Sequence, residues 1–155
     1  MLIDLNSEQG EWFQFFTSRL DPNTGEVIYD PPTGDARAQI RSLAPFFEER
    51  AGKRKKAVEH VYNPKTRAME RIPYFEEQTL EEIKAEREDA YDYAITGLEN
   101  FKDSKTGTVI TCTRGNKVAL MKVPVFDRYF ARCQQLLASS GVKKAEEEPK
   151  NLPTG

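Results

Sequence analysis

An apolar stripe near the end of the chain constrains the fold more than any other sequence feature. Its members recur at helical spacing behind Pro124, a residue suited to the first position of a helix. They are Val125, Phe126, Tyr129, Phe130, Cys133, Leu136 and Leu137. A helix with one apolar stripe must bury it against another element. The sequence therefore predicts a helix that begins at Pro124, ends at Gly141 and packs one face into a core.

A second long helix is predicted behind a capping signal. The segment from Thr79 to Glu82 fits a capping box, in which the hydroxyl accepts an N–H of the first turn and the carboxylate reaches back. Apolar residues then recur at helical spacing as far as Leu98. This pattern predicts a helix that ends near Gly97. Shorter helices are predicted for Phe46–Ala51, behind a proline, and for Arg114–Lys122, where Thr113 is the candidate cap.

The N-terminal part favours extended structure. The run from Asp21 to Gly25 is a turn signal, because proline presets φ and glycine accepts positive φ. Aromatic residues precede it and β-branched residues follow it, so we interpret Trp12–Asp30 as a β-hairpin. A helix over Glu11–Arg19 is the alternative. Loose alternation of apolar residues predicts a third strand over Ala36–Leu43.

Two further extended segments are predicted. Ala57–Tyr62 and Ala68–Tyr74 alternate on either side of an Asn-Pro-containing turn, which indicates an exposed, charged hairpin. Thr108–Cys112 is rich in β-branched residues and is expected to be a strand. Together the elements predict an α+β fold, in which two main amphipathic helices pack on a small antiparallel sheet or on hairpins.

Length and composition set the domain organisation. The chain has 155 residues, of which 38% are hydrophobic and 31% charged. One domain of this size buries roughly 70% of its unfolded surface, so it needs no metal or disulfide to hold it. We expect a flexible N-terminus over residues 1–10, a single α+β domain over residues 11–140 and a disordered tail over residues 141–155.

Charge and sequence signals restrict the cellular context. The net charge of −2 gives no long-range attraction for nucleic acid or an anionic membrane. The first ten residues lack the basic start and apolar centre of a signal peptide, and no apolar run approaches the ~20 residues that span a bilayer. We therefore expect a cytoplasmic protein without a membrane partner. The two cysteines, Cys112 and Cys133, are expected to be buried free thiols, with a disulfide between them as the alternative.

No set of residues predicts catalysis, a metal site or a cofactor. His60 is the one histidine and falls on a predicted exposed strand, without the neighbours that a catalytic triad requires. Gly107 and Gly115 lack the spacing of a phosphate-binding loop. The many carboxylates of the second helix project from its polar side and predict a solvated face. The sequence thus predicts a binding protein and not an enzyme.

Two groups of residues are candidate binding sites. The first is a basic patch, Lys53, Arg54, Lys55 and Lys56, which could contact phosphates in a nucleic-acid-binding regulator. A solvated loop is its simpler interpretation, because acidic residues flank it. The second group is aromatic and consists of Trp12, Phe16, Phe126 and Phe130. These side chains either belong to the core or form an apolar docking surface, since aromatic anchors dominate protein interfaces.

From Tyr91 onward the order of segments is that of a helix end, a turn, a short strand, a polar-capped segment and a last helix. In sequence these are YDYAITGLENF, KDSKTG, TVITCT, RGNKVALMKVP and VFDRYFARCQQLL. This order resembles the small tail assembly chaperones of long-tailed phages and prophages. The resemblance extends over Trp12 to Leu137 and rests on order and spacing, without a diagnostic motif.

The resemblance implies a function without chemistry. Such a chaperone binds the long, apolar tape-measure protein in the host cytoplasm while tail-tube subunits assemble around it. The four aromatic residues would then cover apolar stripes of the client's helices, and an oligomer is compatible with this role. The alternatives are a structural virion component, such as a tail-tube or connector subunit, and the nucleic-acid-binding regulator described above.

Overall fold

The computed structural model describes the backbone of residues 9–150 and the side chains of residues 9–139. Its strands are β1 (Glu11–Gln14), β2 (Ser18–Leu20), β3 (Val27–Tyr29), β4 (Arg37–Ile40), β5 (Lys56–Asn63), β6 (Ala68–Phe75) and β7 (Ile95–Glu99). Its helices are α1 (Ala44–Gly52), α2 (Leu80–Ala94), α3 (Arg114–Met121) and α4 (Pro124–Lys150). The predicted α+β class is confirmed, since helices combine with small antiparallel sheets.

The segment predicted as one domain, residues 11–140, contains two compact units. The first combines Met1–Leu43 with Glu88–Gly155, and the second is Ala44–Arg87. Helix α2 begins in the second unit and ends in the first. That the whole segment behaves as one domain stays a prediction.

A three-stranded antiparallel sheet, in the order β1-β4-β7, forms the centre of the first unit. Successive side chains of a strand point to opposite faces, and on β4 this places Ala38 and Ile40 in the core, both fully buried. Tyr129, Phe130 and Cys133 of α4 are buried in the same cluster. The amphipathic stripe of α4 is thus buried, as its spacing predicts.

The predicted N-terminal hairpin is confirmed only in part. Strands β2 and β3 pair across the Asp21–Glu26 turn, and Gly25 takes the positive φ of 73° that the turn requires. The first part of the aromatic run, β1, pairs instead with β4. The alternative of a helix over Glu11–Arg19 is wrong. The predicted third strand is confirmed as β4.

Helix α2 is three residues shorter than its apolar periodicity predicts. It ends at Ala94, and Ile95–Glu99 continues as strand β7 along β4. Isoleucine and threonine favour strands over helices, and Gly97 is a poor helix former. Pairing with β4 also satisfies the backbone of this buried segment, in which the Ile95 side chain is fully buried.

One other predicted boundary is wrong. Helix α4 does not end at Gly141 but continues to Lys150. The following Lys, Ala and Glu residues are good helix formers, and one glycine costs only about 1 kcal/mol. The disordered tail over residues 141–155 stays a prediction; residues 151–155, and residues 1–8 of the predicted flexible N-terminus, lie outside the described residues.

The predicted strand Thr108–Cys112 reduces to a bridge between Lys102 and Val109. The two bridged residues lie on either side of the tight Asp103–Gly107 turn. The predicted strand therefore finds only the short segment next to Phe101 as a pairing partner. One flanking hydrogen bond, from the Ile110 N–H to the Phe101 carbonyl at 2.7 Å, closes this small loop.

The second unit contains α1, the β5–β6 hairpin and the first two turns of α2. Strands β5 and β6 pair over eight residues each, which confirms the predicted exposed hairpin. Thr79 caps α2, since its hydroxyl accepts the Glu82 N–H at 3.2 Å. The predicted helix behind Pro45 is confirmed as α1.

Candidate docking groove

Aromatic rings form the base of a groove in the first unit. The Phe101 ring packs edge-on against Phe15 and Phe126, in both cases with 5.7 Å between ring centroids. Tyr129 lies behind them, 5.1 Å from Phe15, and donates its hydroxyl hydrogen to the Phe13 carbonyl at 2.6 Å. This hydrogen bond ties α4 to β1 and fixes the base of the groove.

The Asp103–Gly107 turn forms one wall. The Asp103 carboxylate accepts the Lys105 N–H at 2.8 Å, and the Asp103 carbonyl accepts the Gly107 N–H at the same distance. Gly107 has a φ of 70°, which suits glycine. This turn brings Phe101 and Ile110 to neighbouring positions on the wall.

Helix α3 and the start of α4 form the opposite wall. Thr113 caps α3 as predicted, because its hydroxyl accepts the Asn116 N–H at 3.3 Å. The Lys117 amine anchors the inner side of α3 through the Asp92 carboxylate at 3.2 Å and the Asp92 carbonyl at 3.0 Å. With α3 held by these contacts, Leu120 and Val123 line the groove.

The groove has a volume of about 410 Å³. Eight of its lining residues are apolar: Phe15, Phe101, Ile110, Ala119, Leu120, Val123, Val125 and Phe126. Pockets of this size and lining take apolar ligands or the side chains of a partner. Val123, which is 42% exposed, remains accessible from outside.

Four lining residues are polar: Lys102, Asp103, Ser104 and Asn116. Two of them serve the local structure. Asp103 holds the turn, as described above, and the Asn116 side-chain amide donates to the Thr111 carbonyl at 2.8 Å. What the groove offers a ligand is therefore mainly apolar contact.

Two of the predicted docking residues belong to the core. Phe126 is 2% exposed and Phe130 is 5% exposed. Phe130 stacks on Tyr91 with 4.2 Å between ring centroids, and Phe126 contributes only the base of the groove. Neither ring is therefore an exposed surface, because the α4 stripe that carries both rings is buried in the core. That the two residues contribute to binding stays a prediction.

Trp12 and Phe16 lie apart from the groove lining. Trp12 is 39% exposed on the outer face of the sheet, where the Arg37 guanidinium stands 4.4 Å from its ring centroid. Phe16 is half-buried and packs edge-on against Tyr29 and Tyr129. The four predicted aromatic residues therefore do not form one surface, and their part in binding stays a prediction.

The predicted basic patch lies in the second unit, between the end of α1 and the start of β5. Lys53, Arg54 and Lys55 line a depression together with five carboxylates: Glu49, Glu76, Glu77, Glu82 and Glu86. The Lys53 amine is 2.8 Å from the Glu49 carboxylate. Carboxylates at this distance offset the positive potential that a phosphate backbone would meet. Lys56 stands on the neighbouring hairpin.

The two thiols differ in exposure. Both cysteines are free, Cys133 fully buried and Cys112 exposed. The prediction of a buried free thiol is thus confirmed for Cys133 and wrong for Cys112. Burial raises the pKa of Cys133 to about 12, and burial likewise raises the pKa of the neighbouring Tyr129 hydroxyl. Both groups are therefore neutral and unreactive in the core at physiological pH.

Most of the groove-lining residues are not apparent as a site from the sequence. Phe101 and Ile110 lie on either side of the Asp103–Gly107 turn, and Val123 and Val125 flank Pro124. Apolar residues on both sides of a turn, together with apolar residues on both sides of a helix start, indicate that the turn and the helix start line the same apolar groove. The periodicity of single helices does not contain this signal.

Among the described residues, no helix is both long enough and apolar enough to cross a membrane, and no group of three or more metal-ligating side chains lies close together. No protein family, characterised protein or solved structure was found to match the chain.

Proposed function

We propose that the protein is a non-enzymatic assembly chaperone of a long-tailed phage or prophage and that it binds apolar helical segments of the tape-measure protein. In this proposal the groove of the first unit accepts side chains from one face of a client helix, and the protein acts in the host cytoplasm. The observation that carries the proposal is the apolar groove of about 410 Å³ between the Asp103–Gly107 turn and α3.

The groove suits an apolar helix for two reasons. Its walls are a capped helix and a closed turn, so it is preformed and a client loses little affinity to ordering it. An amphipathic helix presents apolar anchors at intervals of three and four residues, and such anchors are read by apolar grooves of this kind. A client held in this way would keep its apolar stripe out of water.

The resemblance noted in the sequence supports the same assignment. The segments that carry it, from Tyr91 to Leu137, build most of the groove: the turn, α3 and the first part of α4. A function that resides in this part of the chain would account for why these segments occur in this order.

The experiment is co-expression with a phage tape-measure protein, in which wild-type protein is compared with a variant that blocks the groove. Val123→Arg places a charged side chain at a 42% exposed position of the lining. We expect wild-type protein to keep the tape-measure protein in the supernatant and to co-purify with it. The variant should lose most of both effects, because a guanidinium in an apolar site is desolvated without a partner.

A matched control separates groove binding from a general effect of charge. Val27→Arg makes the same change at a 51% exposed position of β3, which is not part of the groove lining. It should bind the client like wild type, and both variants should retain wild-type circular dichroism. Equal binding by wild type and Val123→Arg would refute the groove as the client site.

A structural virion component is the second candidate. The observation that favours it is the exposed β5–β6 hairpin, which carries large apolar side chains on both faces. Protein detected at many copies in purified particles would support this role. A chaperone would be present during assembly and absent from the finished particle.

A further inference from the structure

The β5–β6 hairpin has two unlike faces. Residues paired across the strands share a face, and the faces alternate along each strand. With Lys56 opposite Phe75 and His60 opposite Arg71, one face, here the basic face, carries Lys56, Val58, His60, Tyr62, Met69, Arg71, Pro73 and Phe75. The other, the acidic face, carries Ala57, Glu59, Val61, Asn63, Ala68, Glu70, Ile72 and Tyr74.

Charge is separated completely between the two faces. The basic face has two cationic side chains, Lys56 and Arg71, and no carboxylate. The acidic face has two carboxylates, Glu59 and Glu70, and no cation. Within the described part of the chain, none of these four residues forms an ion pair.

Both faces are apolar between their charges and open to solvent. On the basic face Tyr62, Met69 and Phe75 are each more than half exposed. On the acidic face Val61, Ile72 and Tyr74 are between 41% and 45% exposed. An isolated two-stranded hairpin is marginally stable in water, so a layer on either face would bury these side chains and stabilise it.

Edge pairing along β6 is disfavoured. The Glu76 N–H donates to the Lys55 carbonyl across the hairpin. Every second residue of β6, counted back from Glu76, therefore points its backbone N–H and carbonyl groups toward β5. By this alternation position 73 points its backbone outward along the free edge of β6. Proline there supplies no N–H, which is how natural edge strands discourage an added strand.

We propose that two copies of this chain associate by stacking the basic face of one β5–β6 hairpin on the acidic face of another. In a stack with aligned strands, Arg71 of one copy lies within one residue step of Glu70 of the next, across the ~10 Å that separates packed sheets. In the same stack, Lys56 of one copy lies within three residue positions of Glu59 of the next. Because the contact joins two different faces, each copy retains one unused face, and association continues to rings or short filaments.

The size of the contact sets its strength. Eight residues of strand extend about 27 Å and the hairpin is about 10 Å wide, so one contact buries on the order of 500 Å² in total. Stable interfaces start near ~1,200 Å². The association is therefore weak and appears at high local concentration, as on an assembly scaffold. This inference goes beyond client binding, because it concerns another surface, and either can fail without the other.

The test is sedimentation velocity of the full chain at protein concentrations up to about 1 mM, the range for a weak contact. Wild type should show an average mass that rises with concentration and falls with added salt. Arg71→Glu and Glu70→Arg should each weaken association about tenfold, since each replaces an attraction with a repulsion.

A mixture of the two variants is the decisive sample. The Arg71→Glu chain retains an intact acidic face, and the Glu70→Arg chain retains an intact basic face. Their mixture should associate like wild type, because the intact faces stack on each other and the two altered faces carry exchanged charges that attract again. Lys65→Glu, in the turn outside both faces, makes the same change in charge as Arg71→Glu and should associate like wild type.

Every other pattern overturns the proposal. Wild type that stays monomeric over the whole range excludes the contact. Arg71→Glu that associates as well as wild type, or better, indicates a symmetric contact or another surface. Because Glu70 also accepts a hydrogen bond from the Asn63 amide at 2.7 Å, Glu59→Arg repeats the test on the acidic face without touching this bond. Circular dichroism verifies the fold of each variant.

Discussion

Replacing Gly97 by alanine tests how the outer face of the three-stranded sheet is packed. Trp12, Gln39 and Gly97 lie in one row across β1, β4 and β7. A Cβ atom at position 97 would lie 2.8 Å from Cη2 of Trp12 and 3.2 Å from Cβ of Gln39. The absence of a side chain at Gly97 is thus what allows the indole to lie flat on the sheet.

The expected magnitude follows from two opposing effects. Overpacking of this kind costs about 1–3 kcal/mol, and alanine regains about 0.5–1 kcal/mol relative to glycine inside a strand. The Gly97→Ala variant should therefore lower the free energy of unfolding by about 0.5–2 kcal/mol. In a Trp12→Ala background the indole is gone, and the same change should be neutral or stabilising.

Urea denaturation followed by far-UV circular dichroism measures all four proteins of this double-mutant cycle. A coupling free energy of about 1–2 kcal/mol between the two positions is expected for residues in direct contact. The denaturant dependence should stay the same in all four, so that shifts of the midpoint report stability. Equal effects of Gly97→Ala in both backgrounds would show that the indole does not limit the side chain at position 97.

Three further predictions concern other parts of the chain. Tyr129→Phe removes the hydroxyl that donates to the buried Phe13 carbonyl, so the free energy of unfolding should fall by about 1–3 kcal/mol in the same urea assay, and an unchanged value would contradict the role of this bond. A disulfide reagent at pH 8 should titrate Cys112 in the native protein and both thiols only in denaturant, because burial raises the pKa of Cys133 to about 12. Equal reactivity of both native thiols would refute the burial of Cys133. The same raised pKa means that the contribution of Cys133 to the free energy of unfolding is present below pH 9.0 and is lost as pH rises toward about 12, since the unfolded thiol ionises first. Arg67→Gly relieves the backbone strain of a residue held at a φ of 55° and should slow amide hydrogen exchange in the β5–β6 hairpin severalfold. Faster exchange would show that Arg67 stabilises the turn.

The elements predicted most accurately are those in which the local sequence pattern favours the same structure that packing in the folded protein requires. The stripe behind Pro124 predicts both the start of α4 and its buried face. Thr113 and Thr79 each cap the helix that follows them. The pairing of β5 with β6 also follows from local alternation, because this hairpin pairs only with itself.

The errors arise where a distant partner decides the structure. Apolar residues from Ile95 to Leu98 fit a helical stripe and a buried strand equally well, and only the presence of β4 selects the strand. The aromatic run from Trp12 is similarly divided, since β1 finds its partner beyond the turn that follows it. The groove is predicted least, because its lining comes from segments that no single periodicity connects.

Residue type alone does not separate aromatic residues of the core from those of an interface. Trp12, Phe16, Phe126 and Phe130 share this ambiguity, because aromatic rings serve both cores and interfaces. Their exposures range from 39% for Trp12 to 2% for Phe126. Which role an aromatic residue takes depends on what the rest of the chain stacks against it, and composition does not contain that information.

The most direct test of the central claim, that the groove of the first unit binds an apolar helix, is a methyl-resolved NMR titration. The probe is a synthetic amphipathic helical peptide from the proposed client, a phage tape-measure protein, added to protein with labelled Ile, Leu and Val methyl groups. Resonance shifts should concentrate on Ile110, Leu120 and Val123, and Val27 should not move. Saturable binding that leaves these three residues unchanged, or no binding at all, would contradict the account.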